Sequence, residues 1–242
     1  MKIKLYGTGA LVTKRFSACA MVDDAILFDC PNGLVRKLRQ DDINLTNIQT
    51  LLISHFHADH DYDVYQLLWD YNRTKRQEKL NIIAPKGFHE RYSILCNMAW
   101  PGMFIYDDML KNVNLNILEA EDKKSFELDG YKITAYKVEH ANCDSYGYKI
   151  QKNDKTVAFT GDAGMSDNIH ALVENCDMAF IDVTGTASQG QAQIHFSVPM
   201  FMDLQSAHPS VRLIPTHMGD AASAELEANS INPPEDGDTL EI

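Results

Sequence analysis

Ser54-His55-Phe56-His57-Ala58-Asp59-His60 places three imidazoles and a carboxylate within the six positions 55–60. Leu51-Leu52-Ile53 precedes it, a short apolar run that reads as a buried strand. Val64, Leu67, Leu68 and Tyr71 follow at spacings of i, i+3, i+4 and i+7, which predicts an amphipathic helix. The cluster therefore falls where a core strand turns into a helix, a loop held firmly at both ends. Imidazole nitrogens and carboxylate oxygens are ligands for zinc, manganese or iron. His55 and His57 share a side if the chain is still extended there. Asp59 and His60 follow the turn and can aim at a second nearby point. One ion takes about four ligands, so two pairs imply two ions, each needing further donors from elsewhere.

Three later places repeat one local pattern, a strand ending in a metal-type residue. Ala135–Glu139 runs into His140, Val157–Gly161 into Asp162, and Leu213–Thr216 into His217. A carboxylate can bridge, so Asp162 can serve both ions. The remaining donors divide into His55, His57 and His140 for one ion and Asp59, His60 and His217 for the other. Each later residue is a weak signal alone, and the number that two ions require is what joins them. His89, His170 and His208 lack strand-end context and read as surface or helix residues. Cys143, three residues after His140, reads as a neighbour of the site and not as a ligand.

Working outward, strands are expected at Lys2–Tyr6, Ala18–Val22, Ala25–Phe28, Asn81–Ala84, Val113–Leu118, Tyr131–Val138, Tyr146–Gln151, Thr156–Thr160, Met178–Asp182, Val211–Ile214 and Thr239–Ile242. Helices are expected through Leu34, Val35 and Leu38, at His89–Trp100, Asp167–Glu174 and Val198–Ala207, and just after Gly219. Arg73-Thr74-Lys75-Arg76 reads as a solvated helix end. Met98, Trp100, Met103, Phe104, Ile105 and Tyr106 form a dense apolar group, either core or a hydrophobic lip beside the site or a dimer surface. Strand meanders with interspersed helices fit two sheets packed face to face with helices outside, in one domain over residues 1–242.

With 45% hydrophobic residues in 242, the chain can bury a full core. A formal net charge of −12 argues against charge-driven binding to nucleic acid or anionic membrane. A small phosphorylated substrate stays compatible, because metal ions invert the local field. The opening MKIKLYGTGA carries no apolar leader, and the five scattered cysteines form no CxxC pair, so reduced thiols in a cytoplasm are expected.

HFHADH, with TGDAG and PTHMG downstream, resembles the metallo-β-lactamase superfamily, and more closely its ribonuclease Z-like branch. The resemblance implies an α/β fold, the four-layer αβ/βα sandwich. It is carried further by Gly7-Thr8-Gly9, by Phe28-Asp29-Cys30-Pro31, and by Asp182-Val183-Thr184 followed by His195-Phe196-Ser197. Two positions depart from the branch: Asp182 stands where Glu is usual, and Pro31-Asn32 replaces Gly-Glu. The tRNA-gripping arm that ribonuclease Z carries between its third-motif His and the bridging Asp is missing between His140 and Asp162, which argues against tRNA as a partner. The resemblance implies a hydrolase with two divalent ions, zinc first and Mn2+ or Fe2+ as alternatives. A bridging hydroxide would be its nucleophile, with Asp59, His195 and Asp182 as catalytic residues. In that scheme His195 protonates the leaving group, Asp182 orients it, and Asp29 accepts a hydrogen bond from a ligand imidazole. The expected substrate is a small or cyclic phosphodiester. A carboxylic ester, thioester or lactone on the same metals, or a non-catalytic metal-bearing module, are the alternatives. A homodimer is implied by the resemblance only.

Overall fold

The structure, a computed structural model, describes residues 1–189 and 194–242. Among the described residues two sheets pack face to face. The first is seven-stranded, in the order β13-β1-β2-β3-β4-β5-β6. Its strands are β1 (Lys2–Gly7), β2 (Cys19–Val22), β3 (Ile26–Phe28), β4 (Thr50–Leu52), β5 (Leu80–Ala84), β6 (Leu115–Glu119) and β13 (Thr239–Glu241). The second is six-stranded, in the order β12-β11-β10-β9-β8-β7. It comprises β7 (Ser125–Leu128), β8 (Tyr131–Val138), β9 (Ser145–Lys152), β10 (Lys155–Phe159), β11 (Met178–Asp182) and β12 (Arg212–Thr216). The helices are α1 (Leu34–Gln40), α2 (Ala58–Asp61), α3 (Val64–Thr74), α4 (Phe88–Ala99), α5 (Ile105–Asn112), α6 (Asp167–Val173), α7 (Val198–Ala207) and α8 (Asp220–Ala228).

Strand alternation explains the layering. Neighbours along a strand point to opposite faces. Leu27, Leu51 and Ile82 pack outward against α1, α3, α4 and α5. Phe28, Leu52 and Ile83 point inward and meet Phe159, Met178 and Phe180 of the other sheet. Ala179 and Ile181 face away, against α6, α7 and α8. Helices therefore cover both outer faces of a four-layer αβ/βα sandwich. Its parallel strands read as continuous apolar runs because both their faces are buried. Pro215 is tolerated in β12 because that strand is an edge and pairs only with β11.

Three aromatic rings stack in the inter-sheet core, one pair across the sheets and one along the second sheet. Phe28 stacks on Phe159 at 4.7 Å between centroids, and Phe159 stacks on Phe180 at 4.8 Å. Asp29 follows Phe28 directly, Asp162 lies three residues after Phe159, and Asp182 ends β11 two residues after Phe180. The strands β3 to β6 are mutually parallel, as are β10 to β12. Their carboxyl ends open at one edge of the sandwich, where ligand sites form in such sheets.

Several sequence expectations change. Arg76 is not a solvated helix end: it is buried, donates to the carbonyls of Leu45, Glu78 and Lys79, and lies over the Tyr71 ring. The apolar group at 98–106 splits, with Ile105 and Tyr106 buried at the start of α5 and Met98, Met103 and Phe104 exposed. Neither α5 nor β7 is visible as an element from sequence, because the first begins within that apolar group and the second is a short edge strand. Among the described residues no helix is long and apolar enough to cross a membrane, and all five cysteines are free thiols.

Candidate metal centre

The HFHADH stretch leaves β4 extended and turns at His57, which caps the four-residue helix α2. So short a helix cannot hold itself. Backbone bonds from Cys30 to the His60 carbonyl (2.6 Å) and from Asp63 to the Cys30 carbonyl (2.9 Å) tie it to the end of β3. Asp61, fully buried, is bound by the Arg91 guanidinium and by the Tyr92 hydroxyl (3.1 Å), both from α4. The loop is rigid because α4 and β3 hold it on either side.

The structure brings all seven sequence-derived donors together. His55, His57, His140 and Asp162 offer ligand atoms all within 4.8 Å of one another, and so do Asp59, His60 and His217. Asp162 lies between the two groups. Its Oδ1 is 3.1 Å from His60 Nε2 and 3.2 Å from His217 Nε2, while its Oδ2 is 3.6 Å from His140 Nε2 and 3.9 Å from His55 Nε2. Asp59 Oδ2 is 3.6 Å from the Nε2 of both His60 and His217. Donors about 2.1 Å from a tetrahedral ion stand roughly 3.3 Å apart, the range found here.

The Nε2 atoms of His55, His60 and His217 and Oδ1 of Asp162 are buried without a hydrogen-bond partner. Buried polar atoms are costly unless satisfied, and these four converge on one volume. His57 Nδ1 and His140 Nε2 also face each other at 3.2 Å, an arrangement of two ring nitrogens that a cation relieves. The donor set fits divalent metal.

The outer nitrogens are occupied. His60 Nδ1 is 2.8 Å from Asp29 Oδ2, His140 Nδ1 2.9 Å from the Ile194 carbonyl, and His217 Nδ1 2.8 Å from Thr184 Oγ1. These contacts leave the inward Nε2 atoms free to ligate. His195 lies beside the cluster, its ring 4.9 Å from His140 and 5.6 Å from His217. Its Nδ1 is 2.7 Å from Asp182 Oδ2. Asp182 is fully buried and also accepts from the backbone of Ala163 and Thr184 (3.0 Å each) and from the Thr184 hydroxyl (2.7 Å).

Electrostatics without metal follow from this crowding. Burial opposes charge on His217, but Asp162, Asp182 and Asp59 outweigh it and hold its pKa up at about 10. Burial likewise opposes charging of His60, which Asp162 and Asp29 overcome. His55 is pushed well down by burial and by His60. Burial disfavours the Asp162 carboxylate, yet His217, His60 and His55 carry its pKa well below the usual range. His195 is raised, as Asp182 outweighs burial.

Of the residues set aside earlier, His89 meets the Tyr106 hydroxyl, His170 pairs with His208 near the surface, and Cys143 contacts the His140 carbonyl through its thiol. Sequence reading passed over Ser54, Thr184 and Arg91. The first two carried a faint signal, a hydroxyl beside a ligand or beside a strand-end carboxylate. Trp100, of the apolar group, lines a groove with Trp69 and Tyr65 that contains none of the donors. The apolar neighbours of Asp59 are instead Leu11, Val12, Phe16 and Tyr62.

Residues 24–218 match the family described as beta-lactamase superfamily domain. The chain belongs to that family. Its relatives include Ribonuclease Z of Picrophilus torridus, 28% identical over 158 residues, covering 63% of this chain and 48% of that protein. Ribonuclease Z of Agathobacter rectalis is 36% identical over 126 residues, covering 52% and 39%. The chain thus spans about half the length, or less, of these curated relatives. Among solved structures, the metallo-beta-lactamase fold protein YhfI from Bacillus subtilis superposes with a TM-score of 0.78 at 18% identity, covering 99% of each chain. The short form of human tRNase Z gives 0.76 at 18% identity, covering 100% and 99%. Both share the metallo-β-lactamase fold.

Proposed function

We propose that the protein is a hydrolase using two divalent metal ions, zinc foremost, on a small or cyclic phosphodiester. The observation that carries this is Asp162, whose two carboxylate oxygens face different donor groups, one towards His60 and His217 and the other towards His140 and His55. Two bound ions supply an activated water and positive charge for a phosphoryl oxygen. The chain's own part is orientation and proton transfer. His195 Nδ1 is held by Asp182, so Nε2 is the atom that can give a proton to a departing alkoxide. Relatives named Ribonuclease Z support phosphodiester chemistry. Between His140 and Asp162 there is only the hairpin of β9 and β10, and the net charge is −12, which together favour a small substrate over tRNA.

A second reading, a carboxylic ester, thioester or lactone, is favoured by the groove of about 510 Å³ beside Asp59, whose rim carries exposed Leu11 and Val12. Zinc- and manganese-loaded protein, offered bis(p-nitrophenyl) phosphate, a thioester and a lactone, is expected to turn over the phosphodiester. Turnover of the thioester or lactone alone would replace the first reading with the second. Silence on all three would leave a metal-bearing binding module. A homodimer belongs to the same proposal. It is supported by exposed Ile94, Met98, Met103 and Phe104, and analytical sedimentation tests it.

A further inference from the structure

Asp29 and Asp182 repeat one arrangement. Asp29 follows β3 and Asp182 ends β11. Asp29 Oδ2 is 2.8 Å from His60 Nδ1 and accepts from the Ser54 hydroxyl at 2.8 Å, and Ser54 Oγ is 3.0 Å from His55 Nδ1. Asp182 Oδ2 is 2.7 Å from His195 Nδ1, its Oδ1 accepts from the Thr184 hydroxyl at 2.7 Å, and Thr184 Oγ1 is 2.8 Å from His217 Nδ1. Each carboxylate thus reaches one imidazole directly and a second through a hydroxyl, with Asp182 Oδ1 also 3.4 Å from His217 Nδ1.

A hydroxyl has one proton to give. That of Ser54 goes to Asp29, so its oxygen can only accept from His55. Thr184 Oγ1 also lies 2.8 Å from the His217 carbonyl. Whichever oxygen takes its proton, carboxylate or carbonyl, both are acceptors, so Thr184 can only accept from His217, at 2.8 Å against 3.4 Å for Asp182 Oδ1. With a cation at the centre both rings would then be protonated on Nδ1 and turn Nε2 inward. The chain also makes room for the Ser54 link: a Cβ on residue 161 would stand 2.7 Å from Ser54 Cβ, and residue 161 is glycine.

The two links serve different halves. His55 belongs with His57 and His140, whereas His217 belongs with Asp59 and His60. We infer that Ser54 and Thr184 are positioning residues with divided duties, Ser54 fixing the His55 half of the centre and Thr184 the His217 half. This rests on the two-ion reading above.

Stepwise zinc affinities of the full chain, by chelator competition, would be measured for wild type, Ser54→Ala, Thr184→Val and Thr184→Ser. Ser54→Ala is expected to weaken one binding step by roughly 10- to 100-fold and to leave the other nearly unchanged. Thr184→Val should weaken the other step, and Thr184→Ser should restore it. Long-range proton–nitrogen spectra of the zinc-loaded wild type should show His55 and His217 both protonated on Nδ1, a readout that needs no variant to fold. The inference is overturned if either ring is protonated on Nε2, if both variants weaken the same step or both steps alike, or if Thr184→Ser does not restore binding. Fewer than two zinc ions on wild type would bring down the two-ion reading and this division with it. Two ions without the division would remove only the inference.

Discussion

His195 and Asp162 sit within a few ångströms of each other's partners yet should fail in opposite ways. His195 is anchored on Asp182 and offers an atom within 4.8 Å of those of Asp162 and His217; in the proposed role of proton donor, His195→Ala should lower turnover by about 10²- to 10⁴-fold with zinc content near wild type. Asp162→Ala removes an oxygen from both donor groups and should strip metal first; elemental analysis beside activity separates the two. His217 sets the pH dependence. With a pKa of about 10 in the metal-free protein, its ring is charged at pH 7.5 and a cation at Nε2 must displace a proton. Zinc uptake should therefore release protons, and affinity should strengthen as pH rises towards 10. Calorimetry in buffers of different ionisation enthalpy reads this, and no proton release would contradict it. Because the folded value lies above the unfolded 6.5, the ring's contribution to metal-free stability is complete below pH 6.5 and is lost as pH rises through about 10. The seven donors were legible in the sequence because four crowd into residues 55–60 and the other three are ligand-type residues just past strands. Ser54 and Thr184 were not, since a hydroxyl's duty depends on partners that only the fold supplies.

At the scale of elements, α2 depends on its neighbours. Arg91→Met would leave the buried Asp61 carboxylate with the Tyr92 hydroxyl as its remaining side-chain donor. Loss of a partner from a buried ion pair costs about 3–5 kcal/mol. The Arg91 side chain is 31% exposed, so roughly 2–3 kcal/mol is expected from urea unfolding. Gly161→Ala acts on the opposite sheet. Its φ of +62° disfavours any side chain, and the added Cβ meets Ser54. A fall in both stability and zinc content is expected, by calorimetric melting with metal analysis. The long strands and helices could be read from periodicity. The four-residue α2 could not, because tertiary ties and not its own pattern make it helical. The buried Arg76 was misread for a similar reason, since a basic residue after a helix looks the same whether it meets water or a ring of carbonyls.

For the molecule as a whole, metal and fold are linked: ions that bind only the folded chain stabilise it by mass action, so chelation should lower the melting temperature and zinc should restore it. The donors come from both sheets, His55 to His60 after β4 of one and His140, Asp162 and His217 after β8, β10 and β12 of the other. Which strands pair was not legible, because apolar runs show that a strand is buried without showing what it faces. Between the sheets, directly behind the donors, lie Phe28, Phe159 and Phe180. The Phe28–Phe159 stack, which alone of these contacts joins the two sheets, is a spacer between one bank of ligands and the other. On the proposed metal centre, cation preference would then depend in part on hydrocarbon that never meets a cation. Trimming Phe159 to Leu should shift the choice between zinc and manganese although every donor atom is retained.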